Sequence, residues 1–257
     1  MTRKKNKLPG VYLLPNLVTS GALFCGFYSI VVAIEGNFIH SSVYILIAMV
    51  LDGLDGRVAR MTNTQTSFGE YFDSLSDMLC FGVAPSLLIY LSSLSMFTSG
   101  YIAKISYIAC FIYIASTAIR LARFNSRNQT TDKKYFMGLA SPAAAAILIC
   151  YVWLMVDLGA DISSYIILTI ILIVSLSILM VSNIAYVSFK DIDLKQKVPH
   201  LALFAISLVI SFISFDPPKV LFIFFLLYGL SGPSLYVLRK MRRNRVSDQD
   251  LSSKNNQ

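Results

Sequence analysis

The chain alternates long apolar runs with short polar segments, and the length of the runs decides how they are read. A helix rises about 1.5 Å per residue, so about 20 consecutive apolar residues cross ~30 Å of hydrocarbon. Runs of this kind predict eight spans, at residues 14–34, 38–56, 70–93, 99–122, 138–157, 163–188, 199–214 and 219–238. The seventh is short, and Pro217 and Pro218 just beyond it suit a turn better than a helix interior. The expected fold is therefore all-α, a polytopic integral membrane protein with about eight transmembrane helices. The longest polar segment between spans, residues 123–137, is too short to bury a core of its own. A single membrane domain over residues 1–245 is expected, followed by a polar, disordered tail at 246–257.

Composition and charge sharpen this picture. Of 257 residues, 56% are apolar and 14% charged, whereas about a quarter of the residues in a soluble domain are charged. The basic start of the chain leads into the first span without a small-residue cleavage site, so that span is expected to be retained. Cys25, Cys80, Cys110 and Cys150 lie in or beside apolar runs without metal-type or CxxC spacing, which points to packing rather than to redox or zinc chemistry. All of the 22 lysines and arginines except Lys104 and Lys219 fall before span one or after spans two, four, six and eight. The positive-inside bias then puts both termini in the cytoplasm. The same bias accounts for the net charge of +8 without nucleic acid, and the basic run at residues 239–245 reads as a topogenic segment facing anionic lipid.

Four carboxylates interrupt the apolar pattern. Asp52 and Asp55 are three residues apart, and Asp73 and Asp77 four apart, so each pair projects from one helix face. A short loop joins spans two and three at the ends that carry them, which allows the two faces to converge. Carboxylates beside hydrocarbon are costly unless neutralised, and a hard, oxygen-preferring cation such as Mg2+ or Mn2+ suits four of them. Gly53, Gly56 and Gly69 leave room for a large ligand or a neighbouring helix, and Arg57 and Arg60 add cationic donors. Carboxylates, a divalent metal and arginine together equip a site for a phosphate or pyrophosphate. By spacing alone, the acids could also serve an ion pathway or be structural charges paired with Arg57 and Arg60.

The spacing Asp-x2-Asp-Gly-x2-Ala-Arg-x8-Gly-x3-Asp-x3-Asp, met by Asp52, Asp55, Gly56, Ala59, Arg60, Gly69, Asp73 and Asp77, resembles the signature of the CDP-alcohol phosphatidyltransferases. The resemblance implies that the four aspartates bind a pair of Mg2+ or Mn2+ ions and that Asp77 is also the catalytic base. It further implies that Gly56, Ala59, Arg60, Thr66 and Gly69 contact CDP-diacylglycerol. The segments Leu14–Thr19, Arg120–Asn125, Phe136–Ala145 and Met180–Lys190 are similar to the bacterial phosphatidylserine synthase branch of that family. On that resemblance the acceptor is L-serine, the enzyme a homodimer and its place the bacterial inner membrane with the site facing the cytoplasm. Glycerol 3-phosphate, inositol phosphate and choline are acceptors elsewhere in the family. A serine pocket needs a cationic donor and an acceptor near Asp77, and Arg120, Arg123 and Asn125 are the candidates. Asn16 and Thr19 could reach the donor head group or serve the start of their helix.

Overall fold

The first apolar run forms α1 (Leu13–Ile34), which turns through Gly36, at φ 83°, into α2 (Phe38–Thr62). This positive φ is one that glycine adopts without strain. Further helices are α3 (Ser67–Leu94), α4 (Gly100–Arg127), α5 (Ser141–Asp157), α6 (Ile166–Val181) and α7 (Pro217–Lys254). The computed structural model describes residues 13–62, 64–95, 100–127, 135–187, 207–208, 211–212 and 214–254. Among these, six helices are long and apolar enough to cross a membrane, α6 together with the 3-10 turn Ile162–Tyr165 that leads into it, and α5 is a shorter apolar helix of 17 residues. Phe24, Phe27, Val50, Phe111, Ile167 and Leu227 project outward, as lipid-facing side chains do. The protein is all-α and polytopic. The seventh expected span, at 199–214, falls mostly outside the described residues.

The core is built around α5. Every residue from Ala143 to Val152 is buried, so this helix is apolar on all sides. Its four consecutive alanines let neighbours approach closely. Ser42 of α2 donates to the Ile149 carbonyl at 3.2 Å, and Ile147 lies 3.0 Å from where a Cβ on Gly229 of α7 would sit. Small residues also set the crossing of α1 and α3, where a Cβ on Gly26 would lie 2.6 Å from the Cys80 sulfur.

Helix α3 is continuous but not uniform. Thr66 caps its start by accepting from the Gly69 amide at 3.1 Å. Directly after Asp77 the helix widens into a π turn at Met78–Val83, and again at Tyr90–Leu94. Each such turn takes in one extra residue and re-aims the side chains around it. The fully buried Tyr113 of α4 donates its hydroxyl to the Phe81 carbonyl at 3.1 Å inside the first of these turns.

Two features depart from the sequence reading. A two-stranded antiparallel ribbon, β1 (Tyr135–Met137) against β2 (Ala185–Val187), pairs Phe136 with Tyr186 beside the end of α6. Three-residue strands are too short to leave a period-2 pattern. The tail expected to be disordered is helical through Lys254, as a continuation of α7. No glycine or proline interrupts the sequence after Pro233, so nothing in it stops the helix.

Candidate metal and nucleotide-lipid site

The hairpin of α1 and α2 and the first turns of α3 bring the carboxylates together. One oxygen each of Asp52, Asp55 and Asp73 lies within 4.8 Å of the others. Asp52 also reaches both Asp73 and Asp77 at side-chain hydrogen-bonding range. Two full negative charges this close cost about 3 kcal/mol at an effective dielectric of about 20, and the cluster holds several such pairs. None of the four is ion-paired with Arg57 or Arg60 among the described residues. Oδ1 of Asp73 and Oδ1 of Asp77 are buried without a hydrogen-bond partner. Convergent, partnerless carboxylate oxygens are the donor set of a hard divalent cation, and Asp52, Asp55 and Asp73 could hold one.

Asp55 is the most enclosed of the ligand candidates at 4% exposure. Thr19 of α1, equally buried, donates to its Oδ2 at 2.6 Å while also touching the Pro15 carbonyl at 3.1 Å. Thr19 therefore orients a carboxylate while itself lining a cavity beside it. A hydrogen bond of this kind fixes which oxygen faces the cluster.

A cavity of about 150 Å³ opens beside the carboxylates, with Asp55 and Asp73 in its lining. Gly56, Ala59, Arg60, Thr66 and Gly69 all line it, so the five donor-binding candidates share one wall system. A Cβ on Gly53 or Gly56 would meet no neighbouring atom within 4 Å. Gly56 lines the cavity, so its open side leaves room for a ligand, whereas a Cβ on Gly69 would lie 3.4 Å from the Asn16 side chain of α1. Asn16 lines the cavity as well, together with Pro15, Thr64, Gln65 and Glu70, which the sequence reading did not single out. The 64–66 loop carries no pattern beyond polarity. Only the folding of α1 over the start of α3 makes it a wall.

The three acceptor candidates separate in the structure. Arg120 lies within electrostatic reach of Asp77, and its Nη1 donates to the Ser141 hydroxyl at 3.0 Å, leaving Nε buried and partnerless. Arg123 is spent on the end of α6: its guanidinium donates to the Val181 carbonyl at 3.1 Å, to Asn183 Oδ1 at 3.3 Å and to the Ser182 carbonyl at 3.5 Å. A cation at a helix C-terminus satisfies orphan carbonyls there. Asn125 donates to Ser74 Oγ at 2.9 Å, tying α4 to the turn of α3 between Asp73 and Asp77.

Comparison with known proteins adds a family match and three relatives. Residues 12–181 match the family model described as CDP-alcohol phosphatidyltransferase. A protein of Helicobacter pylori named CDP-diacylglycerol--serine O-phosphatidyltransferase is 39% identical over 223 residues, covering 86% of this chain and 90% of its own. A protein of Methanocaldococcus jannaschii with the same name is 31% identical over 209 residues, covering 81% of this chain and 90% of its own. A protein of Methanothermobacter thermautotrophicus named archaetidylserine synthase is 31% identical over 182 residues, covering 70% of this chain and 72% of its own.

Proposed function

Because the chain belongs to the CDP-alcohol phosphatidyltransferase family, we propose that it transfers the phosphatidyl group of CDP-diacylglycerol to the hydroxyl of L-serine, giving phosphatidylserine and CMP. The observation that carries this reading is the meeting of Asp52, Asp55 and Asp73 beside a cavity whose lining holds Asp55 and Asp73 together with all five donor-binding candidates. The names of the relatives support serine as the acceptor.

In this reading Gly56, Ala59 and Gly69 let the cytidine diphosphate lie against backbone, and Arg60 takes charge on the pyrophosphate. Asp77 accepts the proton of the serine hydroxyl as that oxygen bonds to the lipid-side phosphorus. The bond from this phosphorus to the oxygen shared with the CMP phosphate breaks, and CMP leaves. Mg2+ or Mn2+ held by Asp52, Asp55, Asp73 and Asp77, two ions by family resemblance, would polarise the phosphates and neutralise charge on the leaving group. The buried, partnerless Oδ1 of Asp77 is consistent with both of its roles. Of the acceptor candidates, Arg120 is best placed for the serine carboxylate, with Arg123 and Asn125 holding the walls. The site would face the cytoplasm of a bacterial inner membrane, a proposal supported by Arg57 and Arg60 at the aspartate end of α2. Homodimerisation is proposed on family resemblance alone.

The test is CMP release from CDP-diacylglycerol with serine, glycerol 3-phosphate, inositol phosphate and choline, each with and without Mg2+ or Mn2+. Serine- and metal-dependent release is expected. Release with another alcohol only would replace the acceptor, and no release with any would overturn the enzyme reading.

A further inference from the structure

Helix α3 carries a proline where a regular α-helix does not accept one. In an unbroken ladder the Phe81 carbonyl would accept from the amide four residues on, but that residue is Pro85, which has no N–H and whose ring would press on the same carbonyl. The helix widens just ahead of the proline. The Ala84 amide donates to the Leu79 carbonyl, five residues back rather than four, and the π turn Met78–Val83 begins at the residue after Asp77. The Phe81 carbonyl finds a donor outside the helix, the hydroxyl of the fully buried Tyr113 on α4, at 3.1 Å.

Helix α4 holds this turn closely. Gly82 lies inside it, and a Cβ there would come within 3.2 Å of the Thr117 methyl. Helix α4 also grips α3 on either side, since Asn125 donates to Ser74 Oγ at 2.9 Å before the turn and Ser86 donates to the Cys110 carbonyl at 3.1 Å after it. The two halves of α3 that meet at the turn have different tasks. Ahead of it lie Asp73 and Asp77, and beyond it Leu88 and Ile89 are fully buried in the core. Successive residues of an α-helix are about 100° apart around the axis, so taking in one extra residue turns one half against the other by an angle of that order.

We infer that Pro85 and Tyr113 are positioning residues, which together hold the π turn and thereby aim Asp73 and Asp77 at Asp52. This rests on the reading of the aspartates as ligands of a divalent cation. Both residues act through the backbone of α3. Pro85 excludes the regular helix, and Tyr113 serves the carbonyl that the proline leaves without its ladder partner.

The experiment uses the full-length protein in detergent as wild type, Pro85→Ala, Tyr113→Phe and the double variant. Mn2+ binding is followed by the electron paramagnetic resonance of the free ion, and melting is measured without metal. Pro85→Ala restores the missing amide and removes the ring, so a regular ladder can close. Mn2+ affinity should then fall about tenfold or more, as when a metal ligand loses the partner that orients it, while the metal-free melting temperature stays or rises. Tyr113→Phe should lower the melting temperature when Pro85 is present but not in Pro85→Ala, where the ladder amide serves the Phe81 carbonyl. Wild-type Mn2+ affinity in Pro85→Ala would overturn the inference. So would an affinity loss that comes with a lower melting temperature, the mark of general damage. Equal melting losses for Tyr113→Phe in both backgrounds would overturn the role of Tyr113. Wild-type protein that binds no Mn2+ would instead overturn the reading of the aspartates as ligands, and the inference with it.

Discussion

At the scale of single residues, the site divides its acids by what holds them. Asp55 is oriented by Thr19, whereas the inward oxygens of Asp73 and Asp77 have no protein partner. In the proposed mechanism, Asp77→Asn removes both the proton acceptor and a ligand at nearly constant shape. CMP release should fall at least about a thousandfold while the protein stays folded by circular dichroism and elutes normally in detergent. Wild-type-like turnover would remove Asp77 from the mechanism. Thr19→Val has a different signature, because it deletes only the 2.6 Å bond to Asp55. Partners that orient a metal ligand are typically worth about 10–100-fold in metal affinity. The Mg2+ or Mn2+ concentration for half-maximal activity should rise by roughly that factor, with activity recovering at saturating metal; a loss that saturation does not restore would show Thr19 acting otherwise. The aspartates were legible in the sequence because carboxylates stand out against hydrocarbon and their spacing is helical. Thr19 was legible as a polar residue, but not in its role, since its partner is 36 positions away and only the packing of α1 on α2 joins them.

At the scale of elements, what matters is how helix ends are held. Gly138 follows β1 at φ 83°, and a Cβ there would lie 2.3 Å from the Met180 carbonyl. The Gly138 and Leu139 amides meanwhile donate to the Ile184 and Leu179 carbonyls at 2.8 and 3.0 Å, stitching the start of α5 to the end of α6. Gly138→Ala pays for both the backbone conformation and the clash, about 2 kcal/mol or more. A thermal shift assay in detergent should show a lower melting temperature, together with reduced activity, because Ser141 and its hold on Arg120 lie three residues on. Unchanged melting would mean that the ribbon is not anchored there. Apolar run lengths located the helices well, since α1 to α4 and the apolar part of α7 coincide with predicted spans to within a few residues, except that α2 runs on to Thr62. They could not reveal the π turn after Asp77, which depends on Tyr113 reaching a carbonyl of another helix. Nor could they separate Arg120 from Arg123, which differ only in what the fold puts opposite them.

At the scale of the whole molecule, outward-facing phenylalanines, leucines and isoleucines surround a core centred on α5, with the polar groups gathered where α1, α2 and α3 meet. That distribution is the one a bilayer selects, because apolar side chains face lipid and carboxylates face one another around a cavity. The proposed orientation makes a direct prediction. In a cysteine-free background, Leu158→Cys, at the exposed turn after α5, should react with a membrane-impermeant maleimide added outside intact spheroplasts, whereas a fluorescent protein fused to the C-terminus should fluoresce, as it does in the cytoplasm. Labelling and fluorescence in the opposite pattern would invert the assigned topology. Charge bias carried the whole of this expectation, and the fold adds that Arg57, Arg60 and the carboxylates sit at one end of α2.

The seating of α7, whose Gly229 meets Ile147 of α5 and whose Gly232 meets the Tyr186 ring of the ribbon, also bears on how the protein comes into being. A ribosome delivers the chain in order, and every group around the donor cavity lies between residues 15 and 73, within the first three helices. Asp77, Arg120 and Ser141 follow, and the last helix comes after all of them. A nascent chain would thus acquire the walls of this cavity first and the residues proposed for the alcohol later, and the final span would dock its glycines on the ribbon only after both.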